Sequence, residues 1–221
     1  MRIDIVSDTI CPWCFVGKRR LERALETRPD VTVEVGWRPF QLNPDMPAGG
    51  MERQEYLTRK FGGRERADKI YETIRAVGRE DGIAFDFGGI KRVPNTIASH
   101  RLIRWAGGAG AQHQVVELIF ERYFVRGEDI GDPAVLTAVA REAGMDAGLV
   151  AELLPGDADV ALVREEDQVA RQLGIQGVPC FIIDRKYAIS GAQDPAVFHQ
   201  VFDLAARNAA LAELEAEPAA S

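Results

Sequence analysis

The sequence contains few cysteines and no long apolar segment. Only three of its 221 residues are cysteine, too few for a small secreted protein held together by disulfides. No run approaches the roughly 18 apolar residues that a membrane-spanning helix needs, so we expect no membrane association. The first residues lack the basic segment followed by an apolar one that marks a secretory signal, and we therefore expect a cytoplasmic protein.

Positive charge is also in deficit. The chain has 27 lysines and arginines against 34 aspartates and glutamates, a net charge of −7. This sign is wrong for broad binding to a phosphate backbone, so nucleic acid is not an expected partner. Hydrophobic residues make up 46% and charged residues 28%, which is typical of globular proteins, and the length allows one large or two small domains.

The first 45 residues have the pattern of a strand, a helix and a second strand. Apolar residues at 3–6 predict the first strand, and a helical pattern begins at Cys11-Pro12 and ends before Pro29. Residues 31–37 alternate apolar and polar side chains, which predicts the second strand. Because a helix separates them, we expect parallel strands joined by a right-handed crossover.

The rest of the chain divides into a helical part and a return to mixed structure. Residues 46–156 show helical periodicity punctuated by glycines, which predicts five or six helices. Residues 157–212 then predict a helix, two strands at 178–183 and 187–190 joined as a hairpin, and a final helix beginning at Pro195. Residues 213–221 are predicted to form a frayed tail.

The segment Cys11-Pro12-Trp13-Cys14 carries the strongest chemical signal. Residues three apart on a helix bring their Cβ atoms to about 5–6 Å, a distance that suits a disulfide which opens and closes in place. Cys11 lies at the start of the helix, where unpaired backbone N–H groups favour a thiolate. Cys14 lies one turn further on the apolar face, so we expect Cys11 to be the nucleophile and Cys14 to resolve the mixed disulfide.

Two other interpretations of this pair stay open. A lone C-x-x-C is half of many zinc sites, but the sequence offers no second pair, and its three histidines lie far apart at His100, His113 and His199. A metal-binding or redox-sensing module and inert core cysteines are therefore the alternatives, and redox catalysis is the favoured interpretation. We expect no metal.

The dipeptide Val178-Pro179 is the second feature of chemical interest. Proline is excluded from the interior of a sheet, so Pro179 should stand at the start of its strand, in either a cis or a trans peptide bond. In a redox fold this segment lies beside the dithiol and offers its main chain to an extended substrate.

Taken together, these segments resemble the DsbA-like thioredoxin superfamily, and most closely its FrnE-like branch. The resemblance rests on C-P-W-C at a helix start, the helical insertion, and the segments 174–184 and 187–193. It implies an α/β thioredoxin-like fold formed by residues 1–45 and 157–212, with an all-helical domain inserted at 46–156. It also implies that Cys11 is the nucleophile, that Cys14 is the resolving cysteine, and that a cis Pro179 faces them while Val178 pairs with substrate.

The resemblance extends to other candidate residues. The motifs Pro94-Asn95-Thr96 and Ser99-His100-Arg101 are similar to a family motif above the dithiol, which implies that Asn95 and His100 lie near the cleft. Pro12 and Trp13 are expected to contact substrate, although a cover over the dithiol is an equal alternative for Trp13. Because the family's periplasmic oxidants have Pro-His between the cysteines where this chain has Pro-Trp, a strongly oxidising potential is not expected.

Two further sets of residues have a chemical and a structural interpretation. Cys180 stands where the superfamily often has threonine, so it either brings a third sulfur near the first two or acts as a small apolar side chain in a buried strand. Lys18, Arg19 and Arg20 follow the motif by one turn and are predicted to form a solvated face, with contact to an acidic substrate or glutathione as the alternative.

The sequence thus predicts an enzyme, a thiol–disulfide oxidoreductase acting as reductase or isomerase on protein or small-molecule disulfides. Its redox centre is the cysteine pair itself, with a cellular thiol as reductant and glutathione as a candidate co-substrate. The alternative is a glutathione-dependent transferase or isomerase of the kappa-class or hydroxychromene-carboxylate isomerase type. Those proteins usually have serine at the position of Cys11, so the intact dithiol argues against it.

Overall fold

The computed structural model describes residues 1–216, with side chains described to residue 211. The strands are β1 (Arg2–Ser7), β2 (Glu34–Pro39), β3 (Met51–Glu52), β4 (Arg92–Val93), β5 (Cys180–Ile183) and β6 (Tyr187–Ser190). The helices are α1 (Pro12–Glu26), α2 (Arg53–Phe61), α3 (Arg64–Glu80), α4 (Ile97–Gly108), α5 (Gln112–Phe124), α6 (Pro133–Glu142), α7 (Ala147–Leu153), α8 (Val160–Gln172) and α9 (Pro195–Ala216). None of these helices is long and apolar enough to cross a membrane.

Four strands form the main sheet, in the order β2-β1-β5-β6. β1 and β2 are parallel, with Ile5 opposite Trp37, whereas β5 is antiparallel to both β1 and β6. This arrangement confirms the predicted α/β fold class and the predicted parallel crossover through α1. β2 begins only at Glu34, three residues later than the alternation suggested, because the N–H of Val31 is bonded in a turn to the carbonyl of Arg28.

The sheet buries both faces. On one face, the buried side chains of Ile5 and Phe181 belong to the core that also contains Phe198 of α9, whose ring lies 4.9 Å from that of Phe181. On the other face, Val6 and Cys180 pack against α8. The alternation of strand residues therefore separates neighbours in the sequence onto opposite faces of the sheet.

Helix α1 approaches the sheet closely at Gly17. A Cβ atom added to Gly17 would lie 2.9 Å from Cγ of Pro179 and 3.0 Å from Cζ of Phe181, closer than side chains pack. The missing side chain lets the helix that begins at the cysteine motif lie directly against the start of β5. This contact sets the distance between the two segments that the sequence singled out.

The segment between β2 and α8 contains six helices, α2 to α7, as the periodicity predicts. It also contains one feature that was not predicted, the short antiparallel pair β3 and β4, in which Met51 lies opposite Val93. Phe15 of α1 stacks on Phe120 of α5 at 5.1 Å, so the core of this segment is continuous with that of the sheet. The domain boundaries stay a prediction. α9 continues to Ala216, and the rest of the predicted tail, residues 217–221, lies outside the described residues.

Candidate active site

Cys11 occupies the position immediately before helix α1. Its backbone is extended, with φ −94° and ψ 111°, and its side chain makes no capping hydrogen bond. Pro12 follows at the first helical position, where a fixed φ suits the helix and the missing N–H is not needed. The thiol of Cys11 therefore lies beside the backbone N–H groups of the first helical turn, and the Cys11 side chain does not bond to them. Unpaired N–H groups at a helix start stabilise a nearby negative charge.

Cys14 lies one turn further on and is buried more deeply, with 1% of its surface exposed. Its N–H donates to the carbonyl of Cys11 at 3.0 Å. Burial raises the pKa of Cys14 well above its usual value, and the neighbouring Cys11 adds to this effect, whereas hydrogen bonds from Ser7 and from the main chain of Asp8 oppose it. Cys14 is therefore held as a protonated thiol, and it must lose that proton before it can attack another sulfur.

The Val178-Pro179 peptide bond lies directly across from Cys11 and is cis. The Sγ atom of Cys11 donates to the carbonyl oxygen of Val178 at 3.5 Å. The carbonyl of Pro179 accepts from the N–H of Gly191 at 2.8 Å, which fixes this segment to the loop after β6. Cys11, Cys14, Val178 and Pro179 are thus neighbours in the structure, although 164 residues separate Cys14 from Val178 in the printed sequence.

The turn between β1 and α1 contains functional candidates that the sequence reasoning missed. The carboxylate of Asp8 is fully buried, and its Oδ2 accepts from the N–H of Leu42 at 2.7 Å. The carbonyl of Asp8 accepts from the N–H of Cys11 at 3.0 Å. Thr9 shares a hydrogen bond of 2.8 Å with Ser99 of α4. A polar triplet at the carboxyl end of a buried strand, just before the cysteine motif, was the available signal.

His100 links the helical segment to this turn, whereas Asn95 bonds elsewhere. The Nε2 atom of the buried His100 lies 3.3 Å from Oδ1 of Asp8. The Asn95 side chain accepts from the N–H of Ile97 at 3.0 Å and donates to the carbonyl of Met46 at 2.7 Å. His100 therefore reaches the residue that supports Cys11, whereas Asn95 joins the start of α4 to Met46 in the segment after β2. Substrate binding by Asn95 stays a prediction.

Pro12 and Trp13 are both half-buried, and Trp13 packs partly on the main core. This position is compatible with substrate contact and with a cover over the dithiol, so both interpretations of Trp13 stay predictions.

Cys180 does not join the dithiol. It alternates with Phe181, which faces α1, so its own side chain lies on the opposite face of the sheet with Val6 and Ala170. Burial raises the pKa of Cys180. Of the two interpretations of Cys180, the structure therefore favours the apolar one, because β5 turns the sulfur away from the dithiol and Cys180 packs as a small apolar side chain.

The predicted solvated face after the motif is wrong at Lys18. Its side chain is 2% exposed, and its Nζ donates to Glu22 at 2.5 Å and to Glu117 of α5 at 2.6 Å. Arg19 joins the same carboxylates, and Arg20 pairs with the buried Asp81 at 2.8 Å. These cations are thus committed to internal partners. The helical pattern alone could not show that α5 supplies a carboxylate to Lys18.

Among the side chains that the structure describes, up to residue 211, no group of three or more histidine, cysteine, aspartate or glutamate residues is arranged to hold a metal ion.

A sheet that pairs a parallel crossover with an antiparallel hairpin, and that carries a cysteine pair at the first helix start, defines a thioredoxin-type domain with a helical insertion. The DSBA-like thioredoxin domain family matches residues 2–203, and the chain belongs to this family. The FrnE-like branch within it stays a prediction.

Three known proteins illustrate the likeness. The chain is 34% identical to a probable DsbA oxidoreductase, SCO1869, from Streptomyces coelicolor, whose crystal structure superposes with a TM-score of 0.84 over 93% of this chain and 89% of that one. It is 27% identical over 202 residues to the uncharacterized protein YwbO of Bacillus subtilis (strain 168), covering 90% of this chain and 94% of YwbO. The cytosolic disulfide reductase DsbM from Pseudomonas aeruginosa, solved with GSH, shares the fold at 18% identity and a TM-score of 0.63, over 94% of this chain and all of that one.

Proposed function

We propose that this protein is a thiol–disulfide oxidoreductase that works through a mixed disulfide at Cys11, which Cys14 resolves. The observation that carries the proposal is the 3.5 Å contact between the Cys11 sulfur and the Val178 carbonyl. It puts the reactive sulfur beside an extended main-chain segment. A peptide that lies along that segment presents its own sulfur to Cys11.

The reaction begins with the thiolate of Cys11. It attacks one sulfur of a substrate disulfide, a new S–S bond forms at Cys11, and the other substrate sulfur leaves with the electron pair. Cys14 then attacks Cys11, which releases the second substrate thiol and leaves an enzyme disulfide. The different surroundings of the two cysteines support this division, because Cys11, although also buried, lies at a helix start, whereas Cys14 lies one turn further on and is protonated.

The substrate and partners follow from the same geometry. Half-buried apolar side chains on both sides of the dithiol, Ile10, Trp13 and Val178, suit an extended thiol- or disulfide-bearing protein segment better than a highly charged ligand. A cellular thiol would then return the enzyme to the dithiol state, with the Cys11 and Cys14 sulfurs as the redox centre. Glutathione is the candidate for this role, since DsbM, which has the same fold, was solved with GSH. We propose that the protein acts in the cytoplasm.

Insulin reduction in the presence of glutathione tests the proposal. We expect the wild-type protein to accelerate insulin precipitation and the Cys11→Ser variant to be inactive. The Cys14→Ser variant should accumulate a mixed disulfide that a non-reducing gel reveals. Full activity of Cys11→Ser would contradict the proposal. Isomerisation of an aromatic substrate by Cys14→Ser with glutathione, without disulfide turnover by the wild-type protein, would favour the glutathione-dependent alternative.

A further inference from the structure

The proposed reaction needs a place for one proton. When Cys14 attacks the mixed disulfide at Cys11, its S–H bond must break, and burial raises the pKa of this thiol. Cys14 is 1% exposed, so bulk solvent has little access to take the proton directly. A fast resolution step therefore requires an internal group that accepts the proton.

Ser7 connects Cys14 to a cavity on the far side of the turn. The Ser7 side chain lies near enough to Cys14 to lower the pKa of that thiol, and Ser7 also lines a cavity of about 520 Å³ between β2 and the helices α4, α5 and α8. Because many of the groups around this cavity are polar, a space of this size can admit water. A hydroxyl both accepts and donates hydrogen bonds, so Ser7 can pass a proton from the sulfur toward that water.

His100 lines the same cavity and is oriented by Asp8. Its Nε2 atom lies 3.3 Å from Oδ1 of Asp8, whose other oxygen already accepts from the N–H of Leu42. A carboxylate only accepts hydrogen bonds, so Nε2 must carry the hydrogen that faces Asp8. In the neutral ring the Nδ1 atom of His100 is then the nitrogen with the lone pair, which is the arrangement of an imidazole base.

The other ionisable groups of the cavity wall are already paired. They are Arg2, Glu34, Arg38, Arg104, Asp159 and Glu166. Arg2 contacts Glu34 at 3.2 Å, Arg38 contacts Glu166 at 3.6 Å, and Arg104 contacts Asp159 at 3.7 Å. Arginine does not accept a proton, and each of these carboxylates already pairs with an arginine. Imidazole is the side chain that exchanges a proton most readily near neutral pH, so His100 is the base that this wall offers.

We propose that His100, oriented by Asp8, accepts the proton that Cys14 releases during resolution of the mixed disulfide, by way of Ser7 and the water of the cavity. The Cys11–Cys14 bond forms, the bond from Cys11 to the substrate sulfur breaks, and the substrate leaves as a thiolate that is protonated by solvent. The two enzyme sulfurs are oxidised and the substrate disulfide is reduced. His100 then returns its proton to the cavity water. His100 is a positioning and proton-accepting residue that acts through Ser7, and the inference rests on the proposed function.

The two steps can be timed separately with 5,5′-dithiobis(2-nitrobenzoate). The reduced enzyme should release one thionitrobenzoate when Cys11 forms the mixed disulfide and a second when Cys14 resolves it. The His100→Gln variant keeps a hydrogen-bond donor for Asp8 but removes the base. At pH 6–7 we expect the rate of the first release to stay within about twofold of wild type and the rate of the second release to fall about tenfold or more. The difference from wild type in the rate of the second release should become smaller as the pH rises, because hydroxide then takes the proton.

Ser99→Ala is the matched control. It removes the Thr9–Ser99 hydrogen bond, the other link between the same turn and α4, without touching Asp8 or His100. We expect this variant to lose stability and to keep both releases within about twofold of wild type. Equal slowing of both releases in His100→Gln, or a deficit that does not change with pH, would assign His100 a packing role and overturn the inference. Failure of the wild-type protein to release thionitrobenzoate in two steps would instead contradict the proposed function itself.

Discussion

Gly17 and Pro179 are in such close contact that a single methyl group on Gly17 would lie 2.9 Å from the proline ring. Alanine is normally favoured over glycine within a helix by about 1 kcal/mol. At this position the added carbon must instead push α1 away from β5, and with it the cysteine motif away from Val178. The contact thus ties the stability of the fold to the geometry of the candidate site.

The first prediction concerns this contact. Gly17→Ala should destabilise the protein by about 1–3 kcal/mol, because the destabilisation from overpacking exceeds the stabilisation from the higher helix propensity of alanine. It should also slow disulfide exchange. Urea unfolding and insulin reduction measure the two effects. Gly108→Ala in α4 is the control, since a Cβ atom there meets no neighbour within 4 Å, and it should be neutral or stabilising. A Gly17→Ala protein as stable as wild type would contradict the prediction.

The second prediction concerns the buried Lys18. Lys18→Met should lower the free energy of unfolding by about 2–3 kcal/mol, because it removes the buried one of the two cations that Glu22 and Glu117 share, although Arg19 still contacts both carboxylates and both keep some contact with water. Lys69→Met, which removes an exposed pair with Glu65, should change stability by less than about 0.5 kcal/mol. Equal effects of the two substitutions in chemical denaturation would show that burial of Lys18 is unimportant.

The third prediction concerns pH. Burial acts to raise the pKa of Glu22, but hydrogen bonds from His113, Lys18 and Arg19 outweigh it and lower the pKa from 4.5 to about 2. The Glu22 carboxyl therefore binds its proton less tightly in the folded state than in the unfolded state. The stabilisation that ionised Glu22 gives the fold is complete above about pH 4.5 and disappears as the pH falls toward 2. The free energies of unfolding of wild type and Glu22→Gln should differ most at pH 6 and become equal near pH 2. A constant difference across this range would contradict the assignment.

The fourth prediction concerns Cys180. Since its side chain packs with Val6 and Ala170 on the face away from the dithiol, Cys180→Val should keep disulfide exchange within about twofold of wild type and stability within about 1.5 kcal/mol. Cys180→Asp should be far less stable, because it buries a carboxylate beside apolar groups. The exchange rate and the urea midpoint provide the measurements. Loss of exchange in a stably folded Cys180→Val protein would restore a role for the third sulfur.

Local structure, which depends on residues close together in the chain, was predicted well from the sequence. The Cys11–Cys14 spacing, the proline after Cys11 and the strand after Pro179 are local patterns, and the structure has a helix start and a strand at these positions. The family resemblance supplied the long-range expectation that these segments meet. It also directed attention to His100, although it did not indicate the contact with Asp8.

Pairings between distant segments could not be predicted. Asp8 and His100 are 92 residues apart and meet only because α4 packs against the turn after β1. The same holds for Lys18 and Glu117, since nothing near Lys18 shows that a helix 99 residues later covers it. The pair β3 and β4 is only two residues long in each strand, too short for an alternating pattern to reveal.

Phe15, the residue directly after Cys14, stacks on Phe120 and lies within ring contact of Phe85 and Phe124. The helix that carries the dithiol therefore shares its aromatic core with the segment between β2 and α8. Deletion of that segment would strip Phe15 of its partners and expose the first turn of α1 to water. The segment between β2 and α8 is therefore not an independent addition to the fold. A shorter thioredoxin-like protein made from this chain without that segment would need a redesigned surface beneath its own cysteines.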